Sequence, residues 1–342
     1  MTARIVITGG SGFIGSALAA HLCNRSKVRV LDNRNGQPRT GDRIEFVKCD
    51  IRDYRKVRRA LGDADIVIHT AIVQIPRISE ERRLGYEVNI MGTQNVCEAV
   101  RQSRSTKGLI VVGSWHTIGE RKVMGIIDER VGFRPDWVED RARLYVLSKI
   151  AQESIVRHYD EDSQDKTYGV IRIGTTLGEN MPKGTAADVF IDRGLRGQSL
   201  TPYEHSMHRP MLYVDIEDVC RAFESYAFMI LDGKLSRTGG SSERVVNVYY
   251  PKPVTVLELA FMVRESITRC SQGKVTPEVV VTRTGERSLY TPEDKKMMQV
   301  DASKISAFLG LDKLVSPQEA IDRIVRNRYS DMSRTPLGTT TT

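Results

Sequence analysis

The chain has 342 residues, 40% of them apolar and 27% charged. These are the proportions of a folded globular protein and exclude a disordered or low-complexity chain. Lysine and arginine exceed aspartate and glutamate by 8, yet the densest basic group, Arg55, Lys56, Arg58 and Arg59, alternates with Val57, Ala60 and Leu61 as a solvated helix face does, so nucleic acid is not an expected partner.

The first apolar run, Ile5 to Ile7, reads as a strand, and no basic and apolar leader precedes it. Thr8-Gly9-Gly10-Ser11-Gly12-Phe13-Ile14-Gly15 follows at once and opens a helical pattern through Leu18, Ala19 and Leu22. Glycines at that junction permit a tight turn, close backbone approach to a pyrophosphate and close helix packing, while the helix N-terminus offers unpaired N–H groups and a positive dipole. Gly9, Gly12, Phe13, Ile14 and Gly15 are therefore candidate dinucleotide contacts.

The second strand, Val28 to Leu31, runs into Asp32 and Asn33 about twenty residues beyond the glycines. A carboxylate there accepts hydrogen bonds from both adenosine ribose hydroxyls and repels a 2′-phosphate, which favours NAD over NADP. Arg34 lies close enough to keep NADP open.

Further apolar runs at Ile44 to Val47, Ile66 to His69, Leu109 to Val112 and Val170 to Ile173 alternate with helical stretches. This is the pattern of βαβ units, hence an α/β Rossmann fold with a doubly wound parallel sheet. After Gly174 the sequence turns loop-rich through Pro182-Lys183-Gly184 and Pro202 to Pro210. The expected layout is a cofactor domain over 1–174 with returning segments about 211–249, including Tyr213 to Leu231 and a strand at Val245 to Val248. A smaller C-terminal α/β substrate-binding lobe takes 175–210 and 250–330. Val254 to Cys270 and Pro317 to Tyr329 read as amphipathic helices, and 331–342 as a flexible tail.

Cys23, Cys49, Cys97, Cys220 and Cys270 are widely spaced, with no CxxC pair. No metal site and no disulfide framework is expected, and a reducing cytoplasm fits. No apolar run reaches membrane-spanning length, so no membrane partner is expected.

Tyr145-Val146-Leu147-Ser148-Lys149 sets a phenol and an ammonium four residues apart on one helix face, after the fifth expected strand. Ser114 lies just beyond that strand, in Gly113-Ser114-Trp115-His116-Thr117-Ile118-Gly119. A cation beside a phenol favours its ionised form, which makes Tyr145 a candidate base for an alcohol hydroxyl. His116 is a second candidate acid or base, or a structural loop residue.

Taken in order, these motifs resemble the extended short-chain dehydrogenase/reductase family, specifically its nucleotide-sugar epimerase and dehydratase branch, over most of residues 4 to 330. The resemblance implies an NAD-dependent enzyme, a homodimer, and a catalytic set of Ser114, Tyr145 and Lys149. It further implies that Asp50 and Ile51, in Cys49-Asp50-Ile51-Arg52-Asp53, meet the adenine. Thr70, Ala71 and Ile173 would flank the cofactor, and Asn89, the structural asparagine of a family helix, is counted with them. Lys149 would also bind the nicotinamide ribose. Dehydratases of the branch carry an Asp-Glu pair after the catalytic hydroxyl, whereas this chain has Trp115 and His116, which disfavours dehydration.

On the substrate side, Arg172-Ile173-Gly174-Thr175 has threonine where nucleotide-sugar enzymes usually carry asparagine, and the Ser-x-His-Thr-Ile-Gly string resembles uronate dehydrogenases. Arg209, before Tyr213-Val214-Asp215, and Arg283, in Arg283-Thr284-Gly285-Glu286, resemble the arginines that bind a sugar diphosphate. The expected substrate contacts are Ser114, His116, Thr175, Arg209 and Arg283. Three readings stay open: a nucleotide-sugar epimerase working by transient C4 oxidation, a net dehydrogenase of a sugar acid or other secondary alcohol, and a non-catalytic NAD-responsive binding protein.

Overall fold

The computed structural model describes residues 2–34, 43–235 and 239–334. Seven parallel strands form its central sheet: β1 (Arg4–Thr8), β2 (Lys27–Asp32), β3 (Ile44–Lys48), β4 (Ile66–His69), β5 (Gly108–Ser114), β6 (Thr167–Ile173) and β7 (Val245–Val248). Their spatial order is β7-β6-β5-β4-β1-β2-β3, the Rossmann order with one further strand beyond β6. The order reverses between β1 and β4, and there a crevice opens at the carboxyl ends of the strands.

The strands read as continuous apolar runs because helices cover both faces. Ile5, Ile7, Ile66, Ile68 and Ile110 point to one face, with Leu18 and Leu22 of α1 (Phe13–Leu22) and Phe223 of the helix Ile216–Leu231. Val6, Leu31, Val67, Leu109 and Val111 point to the other, with Val57 and Leu61 of α2 (Tyr54–Leu61) and Val96, Cys97 and Val100 of α3 (Thr93–Gln102). On α2 the residues Arg55, Lys56, Arg58 and Arg59 form the exposed face. The long helix α4 (Asp140–Asp162) packs on α3 and on β5 and β6.

Several elements differ from expectation. The strand Tyr213–Asp215 does not return to the central sheet but pairs with Thr175–Leu177; Gly174 sits so close to Leu212 O that a Cβ would lie 2.7 Å from it. The helix expected from Val254 starts at Val256, because Thr255 and Glu258 form a capping box while Val254–Thr255 pairs with Pro210–Met211. Gly125–Ile127 pairs with Met298–Val300, a ladder with no periodic signal in either segment. The last helix runs on to Arg334, so the expected tail begins as helix, and 335–342 lie outside the described residues.

Candidate active site

At the β1–α1 turn, Gly9 takes a φ of +70°, and a Cβ there would lie 2.6 Å from the backbone of Ala71. A Cβ on Gly15 would lie 2.4 Å from Gly9 O. Gly12 begins α1 with no side-chain cap and no acidic residue in the first turn, leaving that end open to an anion. The Ser11 hydroxyl is buried there without a hydrogen-bond partner. Bare backbone, an open helix terminus and an orphaned hydroxyl fit the pyrophosphate of a dinucleotide.

Asp32 ends β2 and is 6% exposed. The Ser11 amide donates to its Oδ2 at 3.0 Å and the Arg34 amide to its Oδ1 at 3.0 Å, so the carboxylate is aimed over the glycine turn. Arg34 also places its guanidinium Nε 3.4 Å from Oδ1. Asn33 is exposed beside it.

Thr70 donates to Thr8 O at 2.7 Å, which locks the end of β4 against β1 and holds Ala71 against Gly9. Ile51 is buried under Gly92. Asp50 is gripped by the Arg52 guanidinium at 2.7 Å, a hydrogen bond that holds its carboxyl below the usual range. Asn89 departs from the expectation of a cofactor contact. It is fully buried, its amide group bonds the Val73 backbone at 2.7 and 3.0 Å and the Ser148 hydroxyl at 3.0 Å, and so it braces α4 from within.

Beneath the crevice His69 is buried between two threonines, with Nδ1 2.6 Å from Thr8 Oγ1 and Nε2 2.9 Å from Thr93 Oγ1. Thr93 donates its own proton to Asn89 O, so it accepts from Nε2–H, and Thr8 donates to Nδ1. One donor and one acceptor define a neutral imidazole, and burial pushes its pKa down to about 3.

The reactive side chains meet at the end of β5. Ser114 is the last residue of that strand and 4% exposed. Burial pushes the phenol of Tyr145, in the second turn of α4, up to about 12, and the nearby Ser114 hydroxyl draws it down. Lys149, one turn further, is buried and donates from Nζ to Val112 O at 2.7 Å, and burial pulls it down to about 7. Here the structure corrects an expectation: the ammonium is turned to the strand carbonyl, and the phenol's pKa lies above its ordinary value. Ile173 ends β6 at the same level, beside Arg172, whose guanidinium bonds Glu153 at 2.6 and 2.9 Å.

The loop after Ser114 forms a short turn, Trp115–Ile118, pinned by Arg134 N donating to Thr117 O and Glu120 N to Trp137 O. His116 Nδ1 lies 3.2 Å from Ser114 Oγ, and Nε2 lies 3.1 Å from the carboxylate of Glu120. His116, expected to face substrate, thus has Nδ1 hydrogen-bonded inside the protein and Nε2 turned toward the Glu120 carboxylate, whose Oε1 has no hydrogen-bond partner. Glu120 escaped the sequence reading; its only trace there is the spacing His116-x-x-x-Glu120. Burial alone would raise its pKa, but His116, the Arg209 charge and the Glu139 amide together hold it at about 2.

Of the two expected diphosphate arginines, Arg209 is half-buried near this network and donates to Glu139 at 2.8 Å, with Tyr290 donating to the same oxygen at 3.0 Å. Its Nε has no partner. Arg283 is 87% exposed and sits 3.8 Å from Glu204, so the structure does not bring it into the same buried network. Thr175 accepts from the Trp115 indole at 3.3 Å.

Residues 5–229 match the sequence model of the NAD dependent epimerase/dehydratase family. The chain belongs to that family. A Methanocaldococcus jannaschii protein named "Putative UDP-glucose 4-epimerase" is 28% identical over 77% of this chain and 82% of its own length. The dTDP-glucose 4,6-dehydratase 1 of Escherichia coli is 26% identical over 94% of this chain and 91% of its own. Among solved structures, the Thermus thermophilus UDP-glucose 4-epimerase in complex with NAD superposes with a TM-score of 0.69 at 24% identity, over 96% of this chain and 99% of that one. Members of this family are oxidoreductase-type enzymes on a Rossmann fold, and the non-catalytic alternative falls away. Among the described residues no cluster of His, Cys, Asp or Glu could hold a metal ion, and no helix is long and apolar enough to cross a membrane.

Proposed function

We propose that the protein is an NAD-dependent nucleotide-sugar epimerase that oxidises the sugar transiently at C4. The observation that carries this reading is the placement of Ser114 at the end of β5 and of Tyr145 in the second turn of α4, whose phenol the Ser114 hydroxyl draws down, at the same carboxyl end of the parallel sheet as the glycine turn and Asp32. When bound, NAD would supply the acceptor and donor of a hydride at the sugar carbon. Gly9, Gly12 and Gly15 would admit its pyrophosphate, Asp32 its adenosine ribose, and Asp50 with Ile51 its adenine. Tyr145 as phenolate takes the proton of the C4 hydroxyl and gives it back after the sugar has turned its other face. Ser114 orients the oxygen that changes between alcohol and ketone. The residues past 174 outside the central sheet would form the substrate lobe.

The experiment is to denature the purified protein, assay released cofactor, and follow interconversion of UDP-glucose and UDP-galactose. Retained NAD with interconversion supports the epimerase. NADH accumulating with a sugar acid would instead support a net dehydrogenase. Two observations favour that second reading: Thr175, in place of the usual asparagine, is tied to Trp115, and Arg209 is already neutralised by Glu139, which a diphosphate would have to displace.

A further inference from the structure

Asp50, in the turn after β3, is held by both the backbone and the side chain of one residue, Arg52. We infer that Arg52 is the positioning residue of the adenine subsite: its guanidinium aims the Asp50 carboxylate so that the subsite accepts a base with an amino group and rejects one with a carbonyl in that place. Asp50 lies close to the carboxylate assigned to the ribose, since Cys49 N donates to Asp32 O at 2.9 Å and Asp50 is the next residue. The Arg52 amide donates to Asp50 Oδ1 at 3.0 Å, Nε lies 3.1 Å from both oxygens, and Nη2 donates to Oδ2 at 2.7 Å. A carboxylate offers about four acceptor positions. The amide and the two guanidinium N–H groups take three of them and leave room for one further donor.

The far side of the guanidinium is fixed as well. Its Nη1 donates to Glu87 at 2.9 Å, and the other oxygen of Glu87 accepts from Arg83 at 2.7 Å. Glu87 opens the widened π turn Glu87–Gly92, a form of helix that recurs at functional sites. The backbone beneath is held from α3, where Asn95 donates to Ile51 O and to Arg52 O, both at 3.0 Å, while Asp53 is occupied in capping α2. Asp50, Arg52 and Glu87 line an open depression with Asp53, Lys56 and Met91. Arg52 is 40% exposed there, and an exposed ion pair adds little to stability, so the fork serves aim more than folding. The guanidinium also holds Asp50 in its ionised form, which only accepts hydrogen bonds. Such a carboxylate bonds an exocyclic amino group and repels a carbonyl oxygen. Lysine in place of Arg52 would keep the charge but not the two-point grip.

The inference rests on the reading that Asp50 meets the adenine of NAD, and not on the identity of the sugar. The test is calorimetric titration of the full chain, freed of bound nucleotide, with NAD and with nicotinamide hypoxanthine dinucleotide, which carries oxygen in place of the adenine amino group. The parent should prefer NAD by about tenfold or more, the worth of a hydrogen bond to a charged group. In Arg52→Ala and in Asp50→Asn that preference should shrink by at least about threefold, with the thermal midpoint of Arg52→Ala near the parent's. A merely structural Arg52 would weaken both dinucleotides alike and leave their ratio in place, which overturns the inference. A ratio lost in Asp50→Asn but kept in Arg52→Ala overturns the role of Arg52 alone and leaves the adenine reading standing. A ratio unmoved in Asp50→Asn, or absent from the parent, removes Asp50 from the base and the inference with it. If Arg52→Ala does not fold, Arg52→Lys is titrated in its place, and a ratio kept at the parental value overturns the two-point grip.

Discussion

The crevice at the β1–β4 switch point and the face beyond Gly174 are built from different materials. In the first, each functional group is aimed by a strand end and locked by short, buried bonds: Gly9 against Ala71, Asp32 by two backbone amides, Thr70 by Thr8. In the second, charged groups are held by one another, as in the cluster of Glu139, Arg209 and Tyr290, or stand nearly free in solvent, as Arg283 does. A site fixed by backbone tolerates little change, whereas one held by side-chain charges can be rearranged to suit a different ligand.

The contrast is tested most severely at the base. Tyr145→Phe removes a single oxygen where the locked half meets the substrate, and it should cut kcat by about 10²- to 10⁴-fold, the usual contribution of general-base catalysis. NAD binding, followed by calorimetry, and the thermal midpoint should stay near the parent values. A variant that keeps more than about a tenth of parental turnover would remove Tyr145 from the role.

Next is the lock beneath the crevice. His69 is buried neutral with a pKa near 3 against an ordinary 6.5, so between those values the unfolded chain binds the proton that the native state refuses. Stability is therefore lost as pH falls from about 6.5 toward 3, on the order of 3 kcal/mol by pH 4. Urea melts at pH 7 and pH 4 should show a smaller loss in His69→Gln than in the parent. Equal losses would mean that this histidine does not govern the acid limb.

Asp32→Ala should weaken NAD by about one to two decades, the worth of a hydrogen bond to a charged group, and weaken NADP much less. Calorimetric titration of both cofactors decides, and equal losses would assign the discrimination to another residue. The smallest effect is expected in the looser half. Arg283→Ala should leave stability within about 0.5 kcal/mol and raise the KM for UDP-glucose by less than about tenfold, the discounted value of an exposed charge. A larger rise would mean that Arg283 closes onto the diphosphate and that the second half is better built than its exposure suggests.

The sequence was most legible where physical constraint is local. The six strands up to Ile173 announce themselves because a parallel sheet is apolar on both faces, and the glycine turn and Asp32 because their spacing follows from strand and helix geometry. What sequence could not reveal was created by distance in the chain. The pairing of Gly125–Ile127 with Met298–Val300 and the meeting of Arg209 with Glu139 join segments with no periodicity of their own. Asn89 is a mixed case: the resemblance marks it as structural, and its partners Val73 and Ser148 make it a brace, but no spacing rule in the sequence names those partners. Glu120 was hidden for the opposite reason, since one helical-like turn from His116 is also the commonest spacing for an incidental ion pair.

The last strand of the sheet has a consequence for how the chain is made. β7 lies beside β6, yet more than seventy residues separate them in sequence, including the whole excursion through the pair Thr175–Leu177 and Tyr213–Asp215. During synthesis β6 emerges with every residue apolar or buried in the finished fold, and its free edge must wait for Val245–Val248 to leave the ribosome. At roughly 5–20 residues per second that interval lasts several seconds, during which an exposed, two-sided strand edge is open to pairing with a neighbouring nascent chain. The demand on chaperones therefore falls in the middle of translation, and a fragment cut after Gly174 would carry that open edge permanently.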